Sequence, residues 1–137
     1  MPRLLAIDYG SKRCGIAVTD PLQIIATALE TVRTHDLADF LKKYATQEKV
    51  EAFIIGMPKK LDNTDSENAA RVTAFIKTLK KSFPEIPVHT QDERFTSSMA
   101  LQSMIDSGSK KSDRREKGNI DKISATIILQ SYMESRR

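Results

Sequence analysis

The hydrophobic pattern of the chain predicts five short strands. Apolar runs indicate strands over Leu4–Ile7 and Gly15–Val18, and the turn "DYGSKR" between them favours a hairpin. A third strand is expected over Ala26–Val32. The apolar stretch "AFIIGM" predicts a fourth strand that ends at Gly56, since Pro58 prevents its continuation. The letters "VHTQ" predict the fifth.

Four further segments carry apolar residues at helical spacing. Candidate N-terminal caps precede the first three helices, namely Asp36, then Thr64 or Asp65, then Thr96 or Ser97. The first helix runs to about Glu48, the third ends at Gly108, and the last covers about Asn119 to Glu134. The order β-β-β-α-β-α-β-α-α, three antiparallel strands followed by βα units, predicts an α/β fold with a mixed sheet flanked by helices.

Length and composition narrow the class of protein. A chain of 137 residues predicts one domain, residues 1–137, and its 39% hydrophobic and 29% charged residues are typical of a soluble globular protein. No apolar run approaches the roughly 20 residues of a membrane span, and no signal peptide is visible. Cys14 is the only cysteine, which excludes an internal disulfide. We therefore expect a cytoplasmic protein with no membrane partner.

The positive charge is concentrated in a few segments, although the net charge is only +4. The basic residues that we expect to contact nucleic acid are Lys12, Arg13, Lys59, Lys60, Arg94, Lys110, Lys111, Arg114, Arg115 and Lys117. For the pairs at positions 12–13 and 59–60, a solvated surface is the alternative. Arg94 is suited to clamping a phosphate, with a salt bridge to a nearby acid as the alternative. The segment "GSKKSDRREKG" is expected to contact a nucleic-acid backbone, with a solvated linker as the alternative.

Three carboxylates call for an explanation. Asp8 ends the first strand, Glu93 follows the fifth strand, and Asp121 lies beside the apolar stripe of the last helix. Each alone can be an ordinary turn or helix-start residue. If the strands of Asp8 and Glu93 are neighbours and the last helix packs over their ends, the three carboxylates converge and need a cation between them. Oxygen ligands select Mg²⁺ or Mn²⁺, which can support phosphodiester hydrolysis.

The motifs "AIDYGSKRCGIAVTD", "IIGMPKKLDNTDSE", "DERFTS" and "KGNIDKISATIILQSYM" together resemble the YqgF family, the Holliday junction resolvases of the RuvX type. The resemblance implies a ribonuclease H-like fold and a metal-dependent nuclease. It assigns catalysis and the binding of one or two Mg²⁺ or Mn²⁺ ions to Asp8, Glu93 and Asp121. It implies two substrates, the 5′ end of the 16S ribosomal RNA precursor, which we favour, and branched DNA.

One departure from the ribonuclease H-like pattern keeps alternatives open. A fourth acid is common one turn from Asp121, where this chain has Ser124 and Ala125, and this puts a second metal in doubt. A non-catalytic nucleic-acid-binding factor of ribosome assembly is therefore an alternative. Actin-like kinases share the opening Asp-x-Gly turn, but the chain is short for their paired domains. The expected partners are structured RNA, branched DNA and ribosomal precursor particles, and the expected state is a monomer or weak homodimer.

Overall fold

The computed structural model describes residues 2–10, 12–57, 67–92 and 117–135, with residues 67, 68, 92 and 117–122 described by their backbone. The strands are β1 (Arg3–Tyr9), β2 (Arg13–Thr19), β3 (Ala26–Arg33), β4 (Val50–Met57) and β5 (Val88–Asp92). The helices are α1 (Leu37–Gln47), α2 (Glu67–Ser82) and α3 (Lys117–Ser135). A short 3-10 turn, Thr34–Asp36, joins β3 to α1.

The five strands form one mixed sheet in the order β3-β2-β1-β4-β5. β1 is central, antiparallel to β2 and parallel to β4, and β4 is parallel to β5. This confirms the predicted mixed sheet. The apolar run of β1 has no polar alternation because helices cover both faces of this strand.

The two faces of the sheet carry separate hydrophobic clusters. Leu5 and Ile7 of β1 pack with residues of α1 and α2, such as Leu41 and Val72. Leu4 and Ala6, which point to the other face, pack against α3. Alternation along β1 therefore assigns position 8 to the face that α3 covers.

The strands and three of the four helices lie close to the predicted positions. The helix expected between Ser97 and Gly108 lies outside the described residues. Asp36 occupies the position before α1, yet its side chain makes no capping hydrogen bond, so this part of the prediction is wrong. The physical reason is that the preceding 3-10 turn holds Asp36 in a helical conformation, whereas a capping residue is normally extended.

The loop between β2 and β3 is organised by Asp20. Its Oδ1 accepts hydrogen bonds from the backbone N–H groups of Ile24 and Ile25, both at 2.7 Å, and its Oδ2 accepts one from Leu22 at 3.2 Å. These bonds, that of Ile25 first, lower the pKa of Asp20. The three apolar side chains are nevertheless exposed. No helix in the described part of the chain is long and apolar enough to cross a membrane.

Candidate active site at the sheet edge

Asp8 lies near the end of the central strand, half-buried and engaged in an interaction. It pairs with Gly15 of β2. The pairing of β1 with β4 ends at Ile7 and Ile55, so Gly56 of β4 is the next residue along the register from Asp8. Gly56 in turn pairs with Gln91 of β5. From β2 to β5 the row across the sheet therefore reads Gly15, Asp8, Gly56 and Gln91, and the residues directly beside Asp8 on β2 and β4 are glycines.

Helix α3 covers the face to which Asp8 belongs. Its buried residues Ala125, Ile128 and Tyr132 form one stripe against the sheet. Asp121 stands four residues before Ala125, so the helical repeat places its backbone position on the same stripe. The Tyr132 ring stacks on His89 of β5, with ring centroids 5.5 Å apart.

The direction of α3 brings its first turn toward the end of β1. The last turns of the helix, at Met133 and Glu134, line a cavity with Ile24 to Ala26, where β3 begins. That edge is the one where β1 starts, because Thr19 pairs with Ala26 and the Leu4 N–H donates to Thr19 Oγ1. The helix therefore begins near the opposite end of the strands, to which β1 delivers Asp8.

The structure corrects one condition of the sequence argument. The strand of Asp8 and the strand that leads to Glu93 are not neighbours, because β4 lies between them. A tight hairpin fixes β2 beside β1, whereas parallel pairing leaves open which later strand follows. On the Asp8 face, the residue of β4 that lies between Asp8 and Gln91 of β5 is Gly56, which has no side chain.

The predicted carboxylates are described to different extents. Glu93 and the side chain of Asp121 lie outside the described residues, as does the side chain of Asp92. Within the described residues, no three His, Cys, Asp or Glu side chains are placed to share a metal ion. Of the three predicted ligands for Mg²⁺ or Mn²⁺, the structure describes one side chain, that of Asp8. Its carboxylate oxygens are ligands of the kind that these ions prefer.

The turn after Asp8 is held by its surroundings. A β-carbon at Gly10 would collide with the carbonyl oxygen of Arg13, so this tight turn requires glycine. Thr34 Oγ1 donates to the Gly10 carbonyl at 2.7 Å, and the Thr34 N–H donates to the Lys12 carbonyl at 3.0 Å. Buried Cys14 contributes its thiol, 3.5 Å from Thr34 Oγ1. The end of β3 thus fixes the turn.

Two of the predicted basic residues, Lys12 and Arg13, are described with their side chains, and both are exposed beside a cavity of about 790 Å³. Arg33 and His35 line the same cavity, and Arg71 lines an adjoining one. Lys117 begins α3, and its side chain lies outside the described residues. The remaining predicted contacts also lie outside them, namely Lys59, Lys60, Arg94, Lys110, Lys111, Arg114 and Arg115.

Sequence reasoning missed Arg33 and Arg71, since neither belongs to a basic cluster or to a motif. The spacing of Arg71 from the buried residues Val72 and Leu79 could have indicated a solvent-facing position, although not its proximity to β1.

Comparison with known proteins identifies the family. A model described as "RuvX: Holliday junction resolvase" matches residues 2–135. The chain belongs to the RuvX family. A relative from Phocaeicola vulgatus is 56% identical over 137 residues, covering 100% of this chain and 99% of the relative. One from Porphyromonas gingivalis is 48% identical over 135 residues, covering 98% of each chain. Both carry the name "Putative pre-16S rRNA nuclease".

Solved structures with this fold include two resolvases bound to Holliday junctions. The fowlpox virus resolvase has a TM-score of 0.62 and 13% identity, covering 98% of both chains. RuvC from T. thermophilus has a TM-score of 0.60 and 18% identity, covering 99% of this chain and 96% of RuvC. At these identities the similarity shows the fold, which is the ribonuclease H-like α/β fold expected from the sequence.

Proposed function

We propose that this RuvX-family chain is a single-domain, metal-dependent nuclease, residues 1–137, that processes the 5′ end of 16S ribosomal RNA precursors. Full-length relatives at 48–56% identity carry a name with that substrate. The observation that carries the proposal is the position of Asp8, a half-buried carboxylate between two glycines at the edge where α3 begins. Such a precursor is a bacterial cytoplasmic substrate, so we propose a cytoplasmic enzyme.

Asp8, Glu93 and Asp121 are the proposed catalytic and metal-binding residues. Asp121 supports this through the stripe that it shares with Ala125. Glu93 directly follows β5 in the sequence, and His89 of that strand stacks on Tyr132 of α3. One or two Mg²⁺ or Mn²⁺ ions held by these carboxylates would supply charge stabilisation and an activated water.

The residues around Asp8 position the carboxylate and leave room for substrate. Pairing with Gly15 of β2 fixes the Asp8 backbone, and the Gly10 turn fixes the chain beyond it. Gly15 and Gly56 let a phosphate approach the carboxylate closely. The predicted basic residues from Lys12 to Lys117 are proposed to bind the nucleic-acid backbone without reading its sequence.

A cleavage assay tests the proposal. A structured 5′ fragment of the 16S precursor and a four-way DNA junction are each incubated with the purified chain in Mg²⁺, in Mn²⁺ and in chelator. Asp8→Asn is compared with Asp39→Asn, which changes an exposed carboxylate on α1. We expect metal-dependent cutting of the RNA that Asp39→Asn retains and Asp8→Asn loses, with rates falling at least about a hundredfold.

The other functions correspond to distinct results of this assay. The family description favours a Holliday junction resolvase, which would cut the junction symmetrically and work as a two-fold dimer. Tight RNA binding without cutting in any metal, unchanged by Asp8→Asn, would instead show a ribosome-assembly factor. Cutting of RNA by Asp8→Asn at the normal rate would contradict the assignment of Asp8.

A further inference from the structure

A cleft opens beside the β1–β2 turn, at the end of the sheet to which β1 delivers Asp8. It consists of two adjoining cavities of about 790 and 390 Å³, which share Tyr9, Thr34 and His35. Both volumes are within the range of about 300–1,000 Å³ that is typical of ligand pockets. Tyr9 follows Asp8 in β1 and points to the other face, so the cleft and the carboxylate meet at one edge of the sheet.

The larger cavity is cationic. Lys12, Arg13 and Arg33 line it, and all three side chains are exposed. Across the described residues, no carboxylate lies within ion-pair distance of Lys12, Arg33 or Arg71. Cationic side chains placed close together attract an anion, and phosphate suits the planar donors of arginine.

The smaller cavity is aromatic and apolar. Tyr9 and Phe75 stack with ring centroids 4.7 Å apart, and both rings are half-buried. Ala38 and Ala74 complete an apolar wall, and Arg71 lies at its border. Burial, and then the neighbouring Cys14, raise the pKa of Tyr9 above its ordinary value, and the nearby Arg71 charge offsets part of this rise.

We propose that this cleft binds a single-stranded segment of the nucleic-acid substrate, with phosphates in the cationic cavity and an unpaired base in the aromatic cavity. Aromatic stacking next to a basic groove is the common way in which proteins hold single strands. A base inside a duplex is already stacked on both faces and cannot enter such a cavity. The proposal deepens the proposed function and rests on it, because it makes the substrate a strand that passes from Asp8 over the turn.

Binding without cleavage tests the cleft separately from catalysis. In chelator, the affinity for fluorescent single-stranded RNA and DNA probes and for a blunt duplex is measured at several salt concentrations. The test variant is Arg33→Ala with Arg71→Ala. The matched control is Lys80→Ala with Lys81→Ala, which removes the same charge from exposed positions at the far end of α2. Thermal melting confirms that both variants fold.

The test variant is expected to lose about tenfold in affinity for the single strands. Its salt slope should fall by about 0.7 for each lost phosphate contact, so by about 1.4 in total. The control variant should show only the small changes in affinity and salt slope that follow from its lower net charge. Equal losses in the two variants, or an equal loss of duplex binding, would overturn the proposal.

Tyrosine fluorescence provides an independent reading of the aromatic cavity, because the chain has three tyrosines and no tryptophan. A single strand that stacks beside Tyr9 should quench part of this emission, and Tyr9→Phe should lose that part. Quenching that Tyr9→Phe retains in full would contradict base entry. A stronger response to RNA than to DNA would identify the 2′-hydroxyl as part of the ligand.

The two proposals fail in different ways. If Asp8→Asn cleaves normally while the arginine variant binds weakly, the catalytic assignment is wrong and the cleft stands. If Asp8→Asn is inactive while the arginine variant binds and cleaves like its control, the cleft is wrong and the catalytic assignment stands.

Discussion

Asp8 is flanked across the sheet by Gly15 and Gly56, residues that have no side chain. Glycine in a strand interior loses packing and backbone order, so its presence on both sides of one carboxylate favours a close approach of another group. The structural property to test is therefore the space beside Asp8 as well as its charge.

Gly56→Ala adds one methyl group to this space. Gly56 is buried, so the melting temperature is measured as well, to separate a loss of packing from a loss of cleavage. The methyl group stands beside the carboxylate, and displacing substrate by about 1 Å can lower the rate of cleavage about a hundredfold. Cleavage of the precursor fragment is measured against Thr90→Ala, which lies on the neighbouring strand and the other face. A normal rate in Gly56→Ala would show that this interval is not used.

Ser124, which is 1% exposed, buries a hydroxyl that finds no hydrogen-bond partner among the residues that the structure describes. Removing an unsatisfied buried polar group relieves its desolvation cost, so Ser124→Ala should raise the free energy of unfolding by about 1 kcal/mol. For a chain of this size, that corresponds to about 3 °C in Tm. Ser135→Ala is the control on the same helix, since its hydroxyl donates to the Tyr132 carbonyl at 2.7 Å. A lower Tm for Ser124→Ala would contradict the prediction.

At the scale of elements, the β2–β3 loop depends on the ionised form of Asp20. Backbone hydrogen bonds lower its pKa in the folded state. The stabilisation is therefore fully present above the unfolded value of about 3.9, and it is lost as the pH falls through the lower folded value. Urea midpoints are measured from about pH 6 to about pH 3. The difference in urea midpoint between the wild type and Asp20→Asn should shrink as the pH falls. Asp39→Asn, which removes a carboxylate from α1, is the control and should not show this change. A difference that is constant with pH would argue against this role.

The elements that the sequence predicts well are those whose signal is local. Apolar residues alone predict that β1, β4 and one side of α3 are buried. The turn at Gly10 predicts the hairpin of β1 and β2. The insertion of β4 between β1 and β5 has no such signal, because any buried parallel strand has the same composition. The predicted cap at Asp36 is wrong for a related reason. Asp36 belongs to the 3-10 turn, whose first residue, Thr34, is held by the distant Gly10 turn.

The candidate site shows the same division. The sequence alone indicates Asp8 as a candidate site residue, because an unpaired carboxylate at the end of a buried strand is costly. Arg33 and Arg71 could not be selected, since a single arginine on an exposed surface is ordinary and only the tertiary fold places these two beside Tyr9. The catalytic and metal-binding roles of Asp8, Glu93 and Asp121 all stay predictions.

At the scale of the whole molecule, the sheet order determines which part of the fold opens last. β1 is paired on both sides and covered on both faces, whereas β3 is paired to β2 and largely exposed. Hydrogen exchange followed by mass spectrometry or NMR should find the slowest amides in Leu5–Ile7 and Phe53–Ile55, exchanging only through global unfolding. Amides of Thr27–Glu30 should exchange faster. Equal protection of β3 and β1 would show that β3 has a further partner.

The central position of β1 also has a consequence for biosynthesis. A ribosome adds about 5–20 residues each second, so the strand that carries Asp8 emerges several seconds before α3, which begins only at Lys117. Until that helix packs, one face of the sheet is uncovered and Asp121 is absent from the edge. Under the proposed function, an enzyme that cuts ribosomal RNA is therefore inactive for as long as it remains a nascent chain, and the ribosome that makes it is protected from it.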